Sequence, residues 1–404
     1  MSEMKTGSAS GSRVTRTILM CAAALVAALA LLLLVPSSPA LLVDEPQVLA
    51  LLSVDPSAPA LMVDESEALM DYVWEHTDDW GNPDRLLLIT GYGAFIAVGA
   101  LAALAVTAVL SHVKGLGAAQ GMGLALLSGV CALLGSHWMY CALRWGYIVN
   151  DLGGSWLFPL EFMKGGYTMY GAILGGLLGA VIWARLRRVS VAQTMDVLIP
   201  GLLLLLCIGR YGEMMTAQGM ANTRAAEALQ MMPFVFEGEW GDPELAVFVY
   251  EALAALAALI TAAVILWRGA SAGRAAECGL AIVSAYQIML DSMRGDELIR
   301  FGFVCLNMIA AAVVLAFILL TRILRRVREG GWRAWETVRV ILFALGCALV
   351  IVVEFALDGK IKMFDGNNTA LYVLDVLAVT GMMLSVTIAD GRGCKAAEKA
   401  GEAN

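Results

Sequence analysis

Arg210 in LLLLLCIGRYGE, Glu251 in FVYEALAALAALI and Asp291 in YQIMLDSMRGDE each lie within or at the end of an apolar run. An ionised side chain at membrane depth is costly, so it faces a bundle interior or a polar pathway and marks a working site. The residue types suggest the work. Arginine grips a phosphate bidentately, and a carboxylate takes a proton or holds an arginine in place. Arg210 and Glu213 stand three residues apart, while Gln287, Asp291 and Arg294 fall at i, i+4 and i+7, one face of a helix. The structural alternative is that Arg210 with Glu213, and Arg294 with Asp291, are sign-matched pairs that only neutralise each other. Convergence of several such groups on one outer-leaflet level favours a site for a phospholipid head group. Tyr250 beside Glu251 joins that level, as do Tyr92 and Tyr170 beside the glycines of TGYGAF and GGYTMYGAILGG.

Membrane helices must position these groups. The chain is 60% hydrophobic and only 15% charged, against roughly one-quarter charged residues in a soluble domain. Stretches near the ~20 residues that cross a bilayer as helix recur at about 17–35, 86–110, 118–140, 168–186, 195–212, 245–267, 276–293, 303–323, 336–356 and 371–389. The fold class expected is all-α, a polytopic transmembrane helical bundle of about ten spans. Residues 1–85 read as an N-terminal signal-anchor helix with an acidic extracytoplasmic repeat, PSSPALLVDEPQVLALL then PSAPALMVDESEALM. Residues 86–325 form a seven-span core, and residues 326–404 a basic linker, two extra transmembrane helices and a cytoplasmic tail.

Short cytoplasmic loops carry the excess of Lys and Arg. ARLRRVS, WRGASAGR, RILRRVREGGWRAWETVR and both termini therefore share the cytoplasmic side, and the net charge of -8 is an outward-facing acidity. That acidity argues against a nucleic-acid partner. The eight cysteines and three histidines match no metal or disulfide spacing, so no metal and no cofactor is expected. His137 reads as a packing residue. Gly175, Gly176 and Gly179 read as close helix packing, whereas Gly165 and Gly166, before their span, could bend the backbone to admit a ligand.

Six segments, in order, resemble the prolipoprotein diacylglyceryl transferase family. TGYGAFIAVG is similar to the family's WYGLMIALG segment, with Tyr92 at its tyrosine. EFMKGGYTMYGAILGG resembles GG-x-x-F-[HY]-GGL-x-G, with Tyr170 at the His/Tyr position and Gly171 next to it. DVLIPGLLLLLCIGRYGEMMTAQG resembles D-x-x-AP followed by GR-x-GNF-x-N-x-E, with Arg210 at the signature arginine. VFVYEAL resembles QLYEAL, with Glu251 at the glutamate; AYQIMLDSMRGDE resembles YG-x-RF-x-x-E-x-x-R; FGFVCLNM resembles the GQ segment opening the last span.

The resemblance implies a multi-pass protein of the bacterial cytoplasmic (inner) membrane. It would move the diacylglyceryl group of phosphatidylglycerol, or another anionic phospholipid, to the lipobox cysteine of a secreted precursor protein. Tyr170, Arg210, Glu251 and Asp291 would carry the catalysis, and Tyr92, Gly171, Glu213, Gln218, Tyr250, Gln287 and Arg294 would bind substrate. Several positions depart from the motifs: Glu213 replaces the signature asparagine, Thr216 the second asparagine, Gln218 the glutamate, and Gln287 the arginine before a shortened acid, Asp291. An anion gained at 213 and a cation lost at 287 disfavour an anionic substrate, with one charge returned at 218. Two further readings stay open: a non-catalytic relative that binds phospholipid or lipoprotein precursors, and a transporter or channel.

Overall fold

A computed structural model describes residues 68–77, 83–150, 156–160, 162, 166–216, 219–224, 234–237, 243–295, 300–301, 304–357, 361 and 368–388. The expected N-terminal anchor span, the duplicated acidic segment up to Glu67, Gly165 and Gln218 lie outside the described residues.

The chain is an all-α polytopic bundle. Its helices are α1 (Gly91–Val113), α2 (Ala118–Leu143), α3 (Trp145–Asn150), α4 (Met169–Arg187), α5 (Val191–Gly212), α6 (Val247–Trp267), α7 (Arg274–Met293), α8 (Leu306–Gly330), α9 (Ala334–Leu357) and α10 (Asn368–Thr387). Within lipid a backbone must satisfy its own polar groups, which a helix does internally. Among the described residues eight helices, all but α3 and α7, are long and apolar enough to cross a membrane. The protein is therefore a multi-pass membrane protein. The helix α7 coincides with the seventh expected span, but Arg274, Glu277 and Asp291 dilute its apolar run and it is not among the eight.

Short strands that the hydrophobic pattern did not foretell connect the helices. β1 (Ala68–Thr77) pairs antiparallel with β2 (Pro83–Thr90), so the helix expected from residue 86 starts only at Gly91. β3 (Met220–Arg224), β4 (Val235–Glu237) and β5 (Pro243–Ala246) form a sheet ordered β3-β5-β4, and β6 (Arg300–Phe301) pairs with β7 (Val304–Cys305).

Contacts divide the chain into two compact units, residues 1–276 with 293–297, and residues 277–292 with 298–404. In the first, α1 packs on α2 and α5, α4 on α2 and α5, and α6 on α5. Small residues set the closest approaches. A Cβ added at Gly201 would stand 2.7 Å from the Ala103 carbonyl oxygen, and one at Gly175 only 2.1 Å from that of Cys131. A Cβ at Gly179 would stand 2.8 Å from the Ser128 Cα, whereas one at Gly176 would find its nearest neighbour at 3.6 Å, ordinary contact. The packing role expected of this glycine string thus rests on Gly175 and Gly179.

In the second unit α9 packs on α10, and both meet α8. The last described carbonyl after α10, that of Ile388, accepts hydrogen bonds from Arg339 Nη2 (2.7 Å) and Arg322 Nη2 (3.3 Å). Cations on terminal carbonyls complement the negative end of a helix.

Candidate functional site

Arg210 closes α5, and Glu213 opens a single 3-10 turn, Glu213–Met215, that follows it. Glu251 sits one turn into α6. Arg294 follows α7 in extended conformation (φ -69°, ψ 132°) and is held there by a β-bridge to Ala221 and by Gly295 N–H donating to the Met220 carbonyl at 2.8 Å. All four belong to the first unit.

Their charged ends form a closed ring. Arg210 Nη1 is 2.5 Å from Glu213 Oε1 and 3.3 Å from Glu251 Oε2; Arg294 Nη1 is 2.8 Å from Glu251 Oε2 and 3.1 Å from Glu213 Oε2. Signs alternate around it, two positive and two negative. The side chains are buried, with Arg210 the most open at 12% exposure. At such depth the desolvation of each charge is offset only by close partners, which explains why all four are doubly engaged. Neighbouring elements bring two of the expected tyrosines close. Met169 Sδ lies 2.9 Å from Arg210 Nη2, which sets the start of α4, with Tyr170 fully buried, against the ring. Gly91 abuts Met215, so the first turn of α1, which carries Tyr92, borders the turn bearing Glu213.

The remaining expected residues make contacts of their own. Gln287 and Asp291 belong to the second unit, where Gln287 Nε2 donates to Asp291 Oδ1 at 2.7 Å. α7 ends at Met293, so Arg294 begins the extended segment that follows it. Tyr250 packs its ring at a tilt against Phe234, centroids 5.6 Å apart. Gly171 is packing: a Cβ there would meet the Gly135 carbonyl oxygen at 2.6 Å. Gly166 does adopt the left-handed conformation (φ +82°), but the space beside it, expected to admit a ligand, is filled by the Tyr140 ring. His137 is a packing residue, fully buried, its ring nitrogens 3.0 Å and 3.2 Å from the carbonyl oxygens of Gly166 and Phe158.

Two residues of consequence escaped sequence reasoning. Asp196 on α5 accepts from Gly273 N (2.7 Å) and Ala276 N (3.0 Å), satisfying amides at the start of α7 that the helix itself cannot. Gly219, at φ +80°, leaves room for Glu213: a Cβ there would sit 2.6 Å from Glu213 Oε2. Asp196 was visible only as a motif aspartate, and nothing in the sequence near Gly219 signals its partner.

Two guanidiniums thus converge on one Glu251 oxygen, and two carboxylates balance their charge. Residues 86–364, more than half of the chain, match the family model described as prolipoprotein diacylglyceryl transferase. A phosphatidylglycerol–prolipoprotein diacylglyceryl transferase of Listeria monocytogenes serotype 4a is 31% identical over 130 residues, covering 30% of this chain and 44% of that protein. Proteins of the same name from Lysinibacillus sphaericus and Bacillus velezensis are 26% and 24% identical, over 44% and 60% of this chain and 64% and 90% of their own lengths. The chain thus spans less than half the length of the Listeria relative.

Proposed function

We propose that this chain, which belongs to the prolipoprotein diacylglyceryl transferase family, moves a diacylglyceryl group from phosphatidylglycerol to the lipobox cysteine of a secreted precursor. The observation that carries the reading is the ring itself, two arginines from distant parts of the sequence brought within 3.3 Å of one Glu251 oxygen. In the reaction the cysteine thiol gives up its proton, its sulfur attacks the glycerol carbon that bears the phosphate ester, and that carbon–oxygen bond breaks. Glycerol phosphate leaves with the electron pair and takes up a proton. Arg210 and Arg294 neutralise the phosphate as charge collects on it, and Glu251 holds both guanidiniums in register. Tyr170, buried next in sequence to the Met169 that touches Arg210, is the proton relay, and Tyr92 borders the head group.

The site opens on the outer leaflet of the bacterial cytoplasmic membrane, with both termini and the basic loops inside. The test is direct. The purified full chain, mixed with phosphatidylglycerol vesicles and a lipobox peptide, adds one diacylglyceryl unit to the peptide by mass, and Arg210→Ala abolishes the gain. No gain from the wild-type chain, with phospholipid still bound, turns the reading to a non-catalytic lipid-binding relative. The neutrality of the ring is the observation that favours this second reading.

A further inference from the structure

Glu213 bridges the two arginines of the ring. One carboxylate oxygen is 2.5 Å from Arg210 and the other 3.1 Å from Arg294, so a single anion bridges both guanidiniums through two oxygens. A phosphodiester presents the same pair of oxygens to the same donors. Glu251 instead brings a single oxygen, Oε2, to both arginines. The seat for Glu213 is built: Gly219 at φ +80° offers no Cβ where one would collide with Glu213 Oε2, and Thr216 closes the turn through both its N–H and its hydroxyl on the Glu213 carbonyl.

We infer that Glu213 is an internal occupant of the phosphate seat, displaced by the incoming lipid and returning to expel the product. The inference rests on the proposed transferase reading and names the residue that sets selectivity within it. With Glu213 seated the four charges sum to zero, and an arriving phosphate gains little attraction. Free phosphate has nothing else to offer. A phospholipid brings two acyl chains whose burial lets it compete. After transfer the glycerol phosphate keeps the charge but has lost the chains, so the carboxylate reclaims the arginines. Glu213 therefore admits phosphate only when it is attached to lipid and clears the water-soluble product.

The experiment compares the wild-type full chain with Glu213→Gln, and with Glu213→Asn as a second variant should the first fold poorly. Expected are a KM for phosphatidylglycerol lowered about tenfold, inhibition by glycerol phosphate at concentrations at least tenfold lower than in wild type, and a reduced kcat as release becomes slow. Equilibrium binding of short-chain phosphatidylglycerol and of inorganic phosphate, read by native mass spectrometry, is expected to tighten in the same variants. An unchanged or raised KM together with unchanged binding of both probes, in a variant that unfolds at the wild-type temperature, overturns the inference. Absence of transfer by the wild-type chain defeats the proposed reaction instead, and the binding arm then decides separately whether Glu213 occupies the seat.

Discussion

Arg294 Nη1 donates to Glu251 Oε2 at 2.8 Å, joining two buried side chains 43 residues apart in the chain. Removing either partner leaves an odd charge in the ring: Arg294→Ala leaves one cation against two anions, Glu251→Ala two cations against one. Each single variant is expected to lose transfer by about 10²-fold or more and to be destabilised by about 3–5 kcal/mol. The double variant leaves Arg210 and Glu213 as a balanced pair, so it should regain stability while remaining inactive. Thermal unfolding with the mass-gain assay separates the two effects. A double variant no more stable than the worse single variant contradicts the charge-balance account.

Why the ring was only half legible follows from this pair. Arg210, Glu213 and Glu251 stand out because each interrupts an apolar run or sits one helical turn from one that does. The pairing of Arg294 does not. Helical spacing points it toward Asp291, whereas its partners Glu213 and Glu251 come from distant segments, reached because α7 stops one residue earlier and Arg294 joins a strand-like bridge with Ala221. That bridge depends on residues 73 positions away. The helices were legible almost throughout, since hydrophobic length is a local property, while β2, β3 and β5 arise from pairing partners that no local pattern announces.

Asp196 tests whether a motif carboxylate serves the fold. Its two oxygens each accept one buried amide at the start of α7. Asp196→Ala orphans both amides, with an expected loss of about 1–3 kcal/mol for each group left unsatisfied. Asp196→Asn keeps one acceptor oxygen and is expected to lose less. Unfolding temperature in detergent measures both, and an Ala variant as stable as wild type would show that water replaces the carboxylate.

The glycine seam between α2 and α4 carries its own control. Gly175→Ala forces a methyl to 2.1 Å from the Cys131 carbonyl oxygen, so the helices must part, with an expected destabilisation of about 1–3 kcal/mol. Gly176→Ala, one residue away on the same helix, meets nothing closer than 3.6 Å and should stay within about 0.5 kcal/mol of wild type. Equal unfolding temperatures for the two variants would refute the packing geometry.

Arg339 is 2% exposed and reaches both the Ile388 carbonyl at 2.7 Å and Glu336 Oε2 at 3.6 Å. Its removal should act on the α9–α10 hairpin through both. Arg339→Ala uncaps the end of α10 and strands Glu336, itself 2% exposed, with its nearest cation gone. A loss of about 3 kcal/mol or more is expected, since one partner of a buried pair has been deleted. Arg339→Ala with Glu336→Ala removes the stranded charge, so stability should partly return, while the carbonyl keeps only the longer 3.3 Å bond from Arg322. Limited proteolysis after residue 388 reports the uncapping and thermal unfolding reports the charge. If the double variant recovered nothing, the cap and not the ion pair would account for the whole effect.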